Sequence, residues 1–269
     1  MKLDAAKVYF TDGIGRVQAV AKSGGPLETL ASGQEGPQGM DIDDQYVYWA
    51  NHLGTAIRRA RKDGSNSPEL VATATAPAVV QVFGDDVYWI DDNRQTVWRA
   101  PKTGGTAVDV INSSAIKGLW RLPVGIEYYE CGPTGSSVYC NAYSVPSNSL
   151  FEAWNRANRY VLGNYLIRDS LTQYVSVADV ATNSSITIDR GDQATLLTAN
   201  TCQLFGFLEP NLKMYPLSPG SQNAGRPGSV PIVTLASNIG WDTTSRAVSD
   251  EDNLYFFVHP TLYRLPLPK

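Results

Sequence analysis

The chain has 269 residues, 43% hydrophobic and 18% charged, with 23 glycines and 16 prolines. This profile belongs to a folded, turn-rich β protein and excludes a disordered chain. A formal net charge of -4, with no basic cluster beyond Arg58, Arg59, Arg61 and Lys62, argues against nucleic acid, whose phosphates demand a basic surface. The four basic residues read instead as a solvated strand, because alternation sends neighbours to opposite faces. No window approaches the roughly 18 apolar residues of a membrane span, and "MKLDAAKVYF" has no apolar run of leader length. Low charge with abundant Ser, Thr, Asn and Gly suits an extracytoplasmic or secreted protein if a signal peptide has been removed, and localisation is otherwise open.

The first unit, "MKLDAAKVYFTDGIGRVQAVAKSGG", predicts a short strand, a turn, the aromatic strand Val8-Tyr9-Phe10, a polar turn and a third alternating strand. The second, "MDIDDQYVYWANHLGTAIRRARKDG", repeats this around Val47-Tyr48-Trp49, and the third, "VQVFGDDVYWIDDNRQTVWRAPKTGG", around Val87-Tyr88-Trp89. A fourth strand closes each: "PLETLA", "PELVAT" and "TAVDVI". Degenerate copies follow at "WRLPVGIEYYECGPTGSSVYCNAY", "YVLGNYLIRDSLTQYVSVAD", "ATLLTANTCQLFGFLEPNLKMYPLS" and "SRAVSDEDNLYFFVHPTLYRLPLPK". Aromatic strands begin near residues 8, 47, 87, 126, 165, 203 and 254, in steps of 39, 40, 39, 39, 38 and 51. The long step follows from a Gly/Pro/Ser-rich insertion, "SPGSQNAGRPGS", at 218–229.

Four antiparallel strands in about 40 residues make one propeller blade. The expectation is therefore an all-β fold, a single seven-bladed β-propeller domain over 1–269, with a six-bladed ring as the alternative. Its approximate blades are 1–39, 40–79, 80–118, 119–156, 157–192, 193–238 and 239–269. Sequence for the seventh stops after a third strand. Tyr9, Tyr48, Tyr88, Trp49, Trp89 and Trp98 recur at fixed blade positions and are read as packing between blades. Units such as "VYWANHLGTAIRRARKDG" and "VYWIDDNRQTVWRAPKTGG" resemble the YWTD and NHL class of propeller repeats, strongly over residues 1–118 and weakly beyond. The resemblance implies a propeller used mostly for binding, with enzymatic relatives in neighbouring families. Phe-Thr-Asp, Trp-Ala-Asn and Trp-Ile-Asp stand where that pattern has its signature, and the receptors' cysteine-rich modules are lacking, so receptor function is not carried over.

Function is sought in what does not repeat. Loops joining second to third strands share a face with those joining blade to blade, and the candidate ligand-binding residues there are Asp12, His52, Asp91, Asp92, Arg94, Glu130, Trp154, Asp169, Glu209, Trp241 and His259. The first reading is a non-enzymatic binding or scaffold propeller whose partner is a protein, peptide or glycan. The alternative is a lactonase or lyase with axial calcium or magnesium polarising a carbonyl, for which Asp4, Asp41, Asp43, Asn164, Asn200 and Asp250 are the candidate ligands. Otherwise no cofactor is expected. Only His52 and His259 are present for acid–base work, and there is no GxSxG elbow, so the reading leans away from an enzyme and names no catalytic residue. Gly24-Gly25 and Gly104-Gly105 read as turn chemistry rather than phosphate cradles. Cys131, Cys140 and Cys202 lack zinc spacing. The first two fall on adjacent strands at an offset that does not suit a direct cross-strand pair, and buried free thiols are expected.

Overall fold

The computed structural model describes residues 1–92 and 96–113 without a break; thereafter it describes the strands together with residues 250–252 and 267. The chain falls into two compact units, 1–154 and 155–269. Every regular element among the described residues is a strand.

In the first unit, β1 (Lys2–Leu3), β2 (Lys7–Thr11), β3 (Val17–Ala21) and β4 (Glu28–Ala31) form one antiparallel sheet in sequence order. Next come β5 (Pro37–Ile42), β6 (Tyr46–Asn51), β7 (Ala56–Arg61) and β8 (Glu69–Thr73), then β9 (Pro77–Phe83), β10 (Asp86–Asp91), β11 (Thr96–Pro101) and β12 (Val108–Asn112). A fourth sheet holds β13 (Ile116–Leu122), β14 (Gly125–Thr134), β15 (Ser137–Val145) and β16 (Leu150–Asn155). The second unit contributes β17 (Asn158–Leu162), β18 (Tyr165–Asp169), β19 (Tyr174–Asp179) and β20 (Ser184–Asp189) as one sheet. It adds β21 (Thr195–Ala199), β22 (Gln203–Leu208), β23 (Asn211–Pro216) and β24 (Val233–Ala236) as another. A three-stranded sheet of β25 (Arg246–Ser249), β26 (Asn253–Val258) and β27 (Thr261–Pro266) completes it. Strands β5 and β9 open on Pro37 and Pro77, a few residues before the boundaries the repeats suggest, and the first strand position is where a proline costs no ladder bond.

Alternation along each aromatic strand gives its sheet two apolar faces, and the clusters fall between consecutive sheets. Tyr9, Val17 and Ala19 of the first sheet pack with Met40, Val47 and Trp49 of the second. Tyr48 and Ile57 of the second pack with Val80, Val82 and Trp89 of the third, with Trp98 against them. Tyr88 and Ile90 then meet Leu119, Ile126 and Tyr128. Trp49 and Trp89 are among the largest fully buried side chains, at 0% and 1% exposure. The recurring aromatics are the packing between sheets.

Several placements differ from expectation, and Asp91 and Asp169, read in loops, are the last residues of β10 and β18. Pairing of β14 with β15 runs out to Thr134↔Ser137 and sets Cys131 directly opposite Cys140. The offset inferred for the two cysteines is thereby corrected: the hairpin is longer than the repeat suggests. For the same reason Glu130 lies within β14, opposite Asn141, rather than in a loop, and Trp154 lies within β16 rather than between sheets. Residues 218–229, Asn164, Asn200 and Cys202 fall outside the described residues.

Candidate functional site

Each of the first sheets ends on the same backbone stitch. In the first, the Gln34 amide donates to the Gly15 carbonyl at 2.9 Å, and the His52 amide of the next turn donates to the Gly36 carbonyl at 3.0 Å. One sheet on, Ala74 donates to Thr55 at 2.9 Å and Asp92 to Ala76 at 2.8 Å. Turns between second and third strands thus share an end with the links between sheets. Gly15 and Gly36, at φ 87° and 63°, take the left-handed conformation this stitch requires. A β-carbon on Gly36 would stand 3.0 Å from Leu53 Cγ, so the link and the next turn are in contact.

The polar side chains of this end are largely spent inside it. Asp12 Oδ1 accepts from the Ile14 and Arg16 amides at 3.1 and 2.8 Å, and its Oδ2 meets Arg16 Nε at 2.6 Å. His52 Nδ1 lies 3.3 Å from the Pro77 carbonyl and, protonated there, donates to it. Asp91 is 7% exposed within β10, whereas Asp92 is exposed. Asp169 closes β18, and Arg94, Glu209, Trp241 and His259 lie outside the described residues. Two apolar residues stand out by contrast: Ile14 and Leu53, in neighbouring turns of the first two sheets, are 75% and 73% exposed.

Sequence reasoning missed a groove of about 660 Å³ between the first two sheets, lined by Thr29–Glu35, by Asn51, Gly54 and Arg58, and by the turn 64–68. Its floor is an amide network. Trp49 Nε1 donates to Asn51 Oδ1 at 3.0 Å and to Gln34 Oε1 at 3.3 Å, Asn51 Nδ2 donates to Gln34 Oε1 at 3.0 Å, and Gln34 Nε2 donates to the Ser32 carbonyl at 2.9 Å. Because Trp49 is fully buried, this floor is fixed to the core. Of the four basic residues read as a solvated strand, three are engaged elsewhere. Arg59 pairs with Glu69 and stacks 4.3 Å over Tyr46, Arg61 pairs with Asp63, and Lys62 reaches Asp4 at 2.9 Å. Arg58 lines the groove, and among the described residues no hydrogen bond or ion pair holds its guanidinium.

The carboxylates read as axial ligands have other partners. Asp4 Oδ1 accepts from the Ala6 and Lys7 amides at 2.8 Å each, and its Oδ2 from Tyr9 at 2.8 Å and Lys62 at 2.9 Å. Asp43 repeats this with Gln45, Tyr46, Tyr48 and Lys102, the lysine at 3.0 Å. Asp250 caps its turn through the Asp252 and Asn253 amides and accepts from Tyr255 at 3.4 Å. Burial pushes the Asp4 carboxyl up, but the Lys7 amide, Lys62 ammonium, Ala6 amide and Tyr9 hydroxyl outweigh it and hold the group at about 2. Asp43 is lowered by the same balance, its burial opposed by the Tyr46 amide and Lys102. Burial and then the partner carboxylate push the Tyr9 and Tyr48 hydroxyls upward. Asp41 is fully buried: its Oδ2 accepts from the Val82 amide at 2.8 Å and lies 3.3 Å from Arg121 Nη1, while Oδ1 has Lys2 Nζ at 3.1 Å outside hydrogen-bond geometry. Among the described residues no three His, Cys, Asp or Glu side chains gather as a metal set, and no helix is long and apolar enough to cross a membrane.

These sheets and their stitched ends define a β-propeller repeat protein. No family model matches the chain. Over 102 residues it is 27% identical to the sortilin-related receptor of Oryctolagus cuniculus, a match covering 38% of this chain and 4% of the receptor. A chain of the crystal structure of the mitotic checkpoint complex superposes with TM-score 0.62 at 14% identity, covering 94% of this chain and 82% of that one. BamB from Moraxella catarrhalis superposes with TM-score 0.56 at 12% identity, covering 98% and 80%. At these identities the likeness to solved structures is one of fold.

Proposed function

We propose that this chain is a non-enzymatic binding propeller that takes a protein or peptide partner on the stitched end of its first two sheets. One observation carries the reading. Asp12 and His52 of that end are engaged with neighbouring backbone and with Arg16, while Ile14 and Leu53 are left 75% and 73% exposed. Apolar side chains on a rigid polar frame gain about 1–2 kcal/mol each when a partner covers them. The sequence relative is named a receptor, and one structural neighbour comes from a multiprotein complex. Both support the reading.

The test is selection of displayed random peptides against the purified chain, followed by binding of the enriched peptides to Leu53→Ser and Ile14→Ser variants. Enriched peptides should bind the parent and lose about tenfold in affinity against either variant, the change expected for ~1.4 kcal/mol of lost burial. Absence of enrichment, or indifference to both substitutions, overturns the reading.

A further inference from the structure

The seam between one sheet's fourth strand and the next sheet's third strand is closed at one junction and open at another. Between the second and third sheets, the Gly105 amide donates to the Val71 carbonyl of β8 at 3.1 Å. Trp98 of β11 packs against the same cluster. Between the first and second sheets both closures fail. Register places Arg58 opposite Trp49 as Trp98 stands opposite Trp89, so a guanidinium replaces the indole that fills the other seam. Register also shows an extra residue in the turn that follows. Arg59 pairs with Glu69, ten positions on, whereas Ala19↔Glu28 and Arg99↔Val108 are nine apart. Gly105 donates from a backbone at φ 155°. Ser65, one place after Gly64 as Gly105 is after Gly104, spends its amide within its own turn on Asp63 Oδ1 at 2.9 Å. The groove of about 660 Å³ is this open seam.

We infer that the groove binds an extended peptide segment and that Arg58 receives a carboxylate of that peptide; the inference rests on the binding reading above and names the chemistry of one part of the ligand. A planar guanidinium suits the two oxygens of a carboxylate. The groove's walls carry β4, the edge strand of its sheet, and hydroxyl and amide groups that suit a polypeptide backbone. Glu35, the one acid in the lining, forbids a second carboxylate at its end. The rigid floor through Trp49, Asn51 and Gln34 means that no ordering of these side chains opposes binding.

The probes are an acetylated, amidated pentapeptide with a central glutamate and its counterpart with glutamine, titrated into the full chain, with inorganic phosphate and glucuronate as competitors. The glutamate peptide should bind about tenfold more tightly than the glutamine peptide, as a charge-assisted pair supplies. Arg58→Gln should abolish that preference, and Arg58→Lys should keep part of it. Circular dichroism melting checks that each variant folds; if Arg58→Gln does not, Arg58→Lys carries the comparison. Equal affinity for the two peptides, binding of neither, or displacement by phosphate or glucuronate at concentrations where the peptide competes, each overturns the inference. Absence of the glutamate preference in the parent chain, with Leu53-dependent peptides still bound, sinks the carboxylate site and leaves the binding reading standing.

Discussion

At Gly15 the backbone stands at φ 87°, and a β-carbon there would lie 2.5 Å from the Gln34 carbonyl oxygen. Gly15→Ala should therefore cost about 2–3 kcal/mol in urea unfolding, through strain and a forced shift of the link. The corresponding residue one sheet on is Thr55, a β-branched residue held at φ 49°. Thr55→Gly should move the other way, by about 0.5–1 kcal/mol, since the same carbonyl is presented without the strain. Equal signs for the two substitutions would refute the equivalence of the stitches. Arg59 provides a second test at this scale: it bonds Glu69 at 2.7 Å, donates to the Lys102 carbonyl at 2.6 Å and covers Tyr46. Arg59→Gln should lower stability by about 1–2 kcal/mol, with Arg58→Gln within about 0.5 kcal/mol of the parent in the same denaturation experiment. Alternation identified these residues as a strand. It did not say which would be left uncommitted, because the partners come from turns and from other sheets.

Among the elements, the recurring device is an aspartate at the end of a first strand that caps the following turn and binds a tyrosine of the second strand and a lysine of the next sheet. Asp4 with Tyr9 and Lys62, and Asp43 with Tyr48 and Lys102, show it among the described residues. The repeat placed these aspartates on inner strands, and their spacing before Tyr9 and Tyr48 was legible. The lysines' reach across the seam was not, so the alternative of axial metal ligands stayed open for these carboxylates. The device has a pH signature. Folding lowers the Asp4 carboxyl from 3.8 to about 2, so its stabilisation is complete above the unfolded value and is lost as pH falls through about 2. With the group partly exposed, screening reduces the contribution to about 1 kcal/mol. Urea midpoints measured from pH 5 down to pH 2 should fall less steeply for Asp4→Asn than for the parent by that amount. Parallel curves would remove Asp4 from the account. Elsewhere the repeat misled: copying a blade of average length onto 119–156 ended the aromatic strand near Glu130, whereas β14 runs to Thr134 and brings Cys131 into register with Cys140.

Across the first unit, the repeat period was legible because each sheet must bury both faces against its neighbours, and that demand writes the same aromatics into every copy. What differs between copies is decided by contacts far apart in sequence, and Asp41 shows this most fully. It occupies β5, where a carboxylate is wholly buried, and it is met by Lys2 from β1, the Val82 amide from β9 and Arg121 from β13. Arg121 also donates to the Val82 carbonyl at 3.2 Å, so four consecutive sheets converge on one group. A buried carboxylate persists only while its partners offset the cost of desolvation. Asp41→Asn should thus lose about 2 kcal/mol, retaining the shape while removing the charge that both cations face. Arg121→Gln alone should lose less, about 0.5–1 kcal/mol, because its side chain is 41% exposed. If the two act through one another, the double variant should be more stable than the sum predicts by about 1 kcal/mol. Strict additivity would mean that Arg121 holds the β9 carbonyl and contributes nothing through its contact with Asp41.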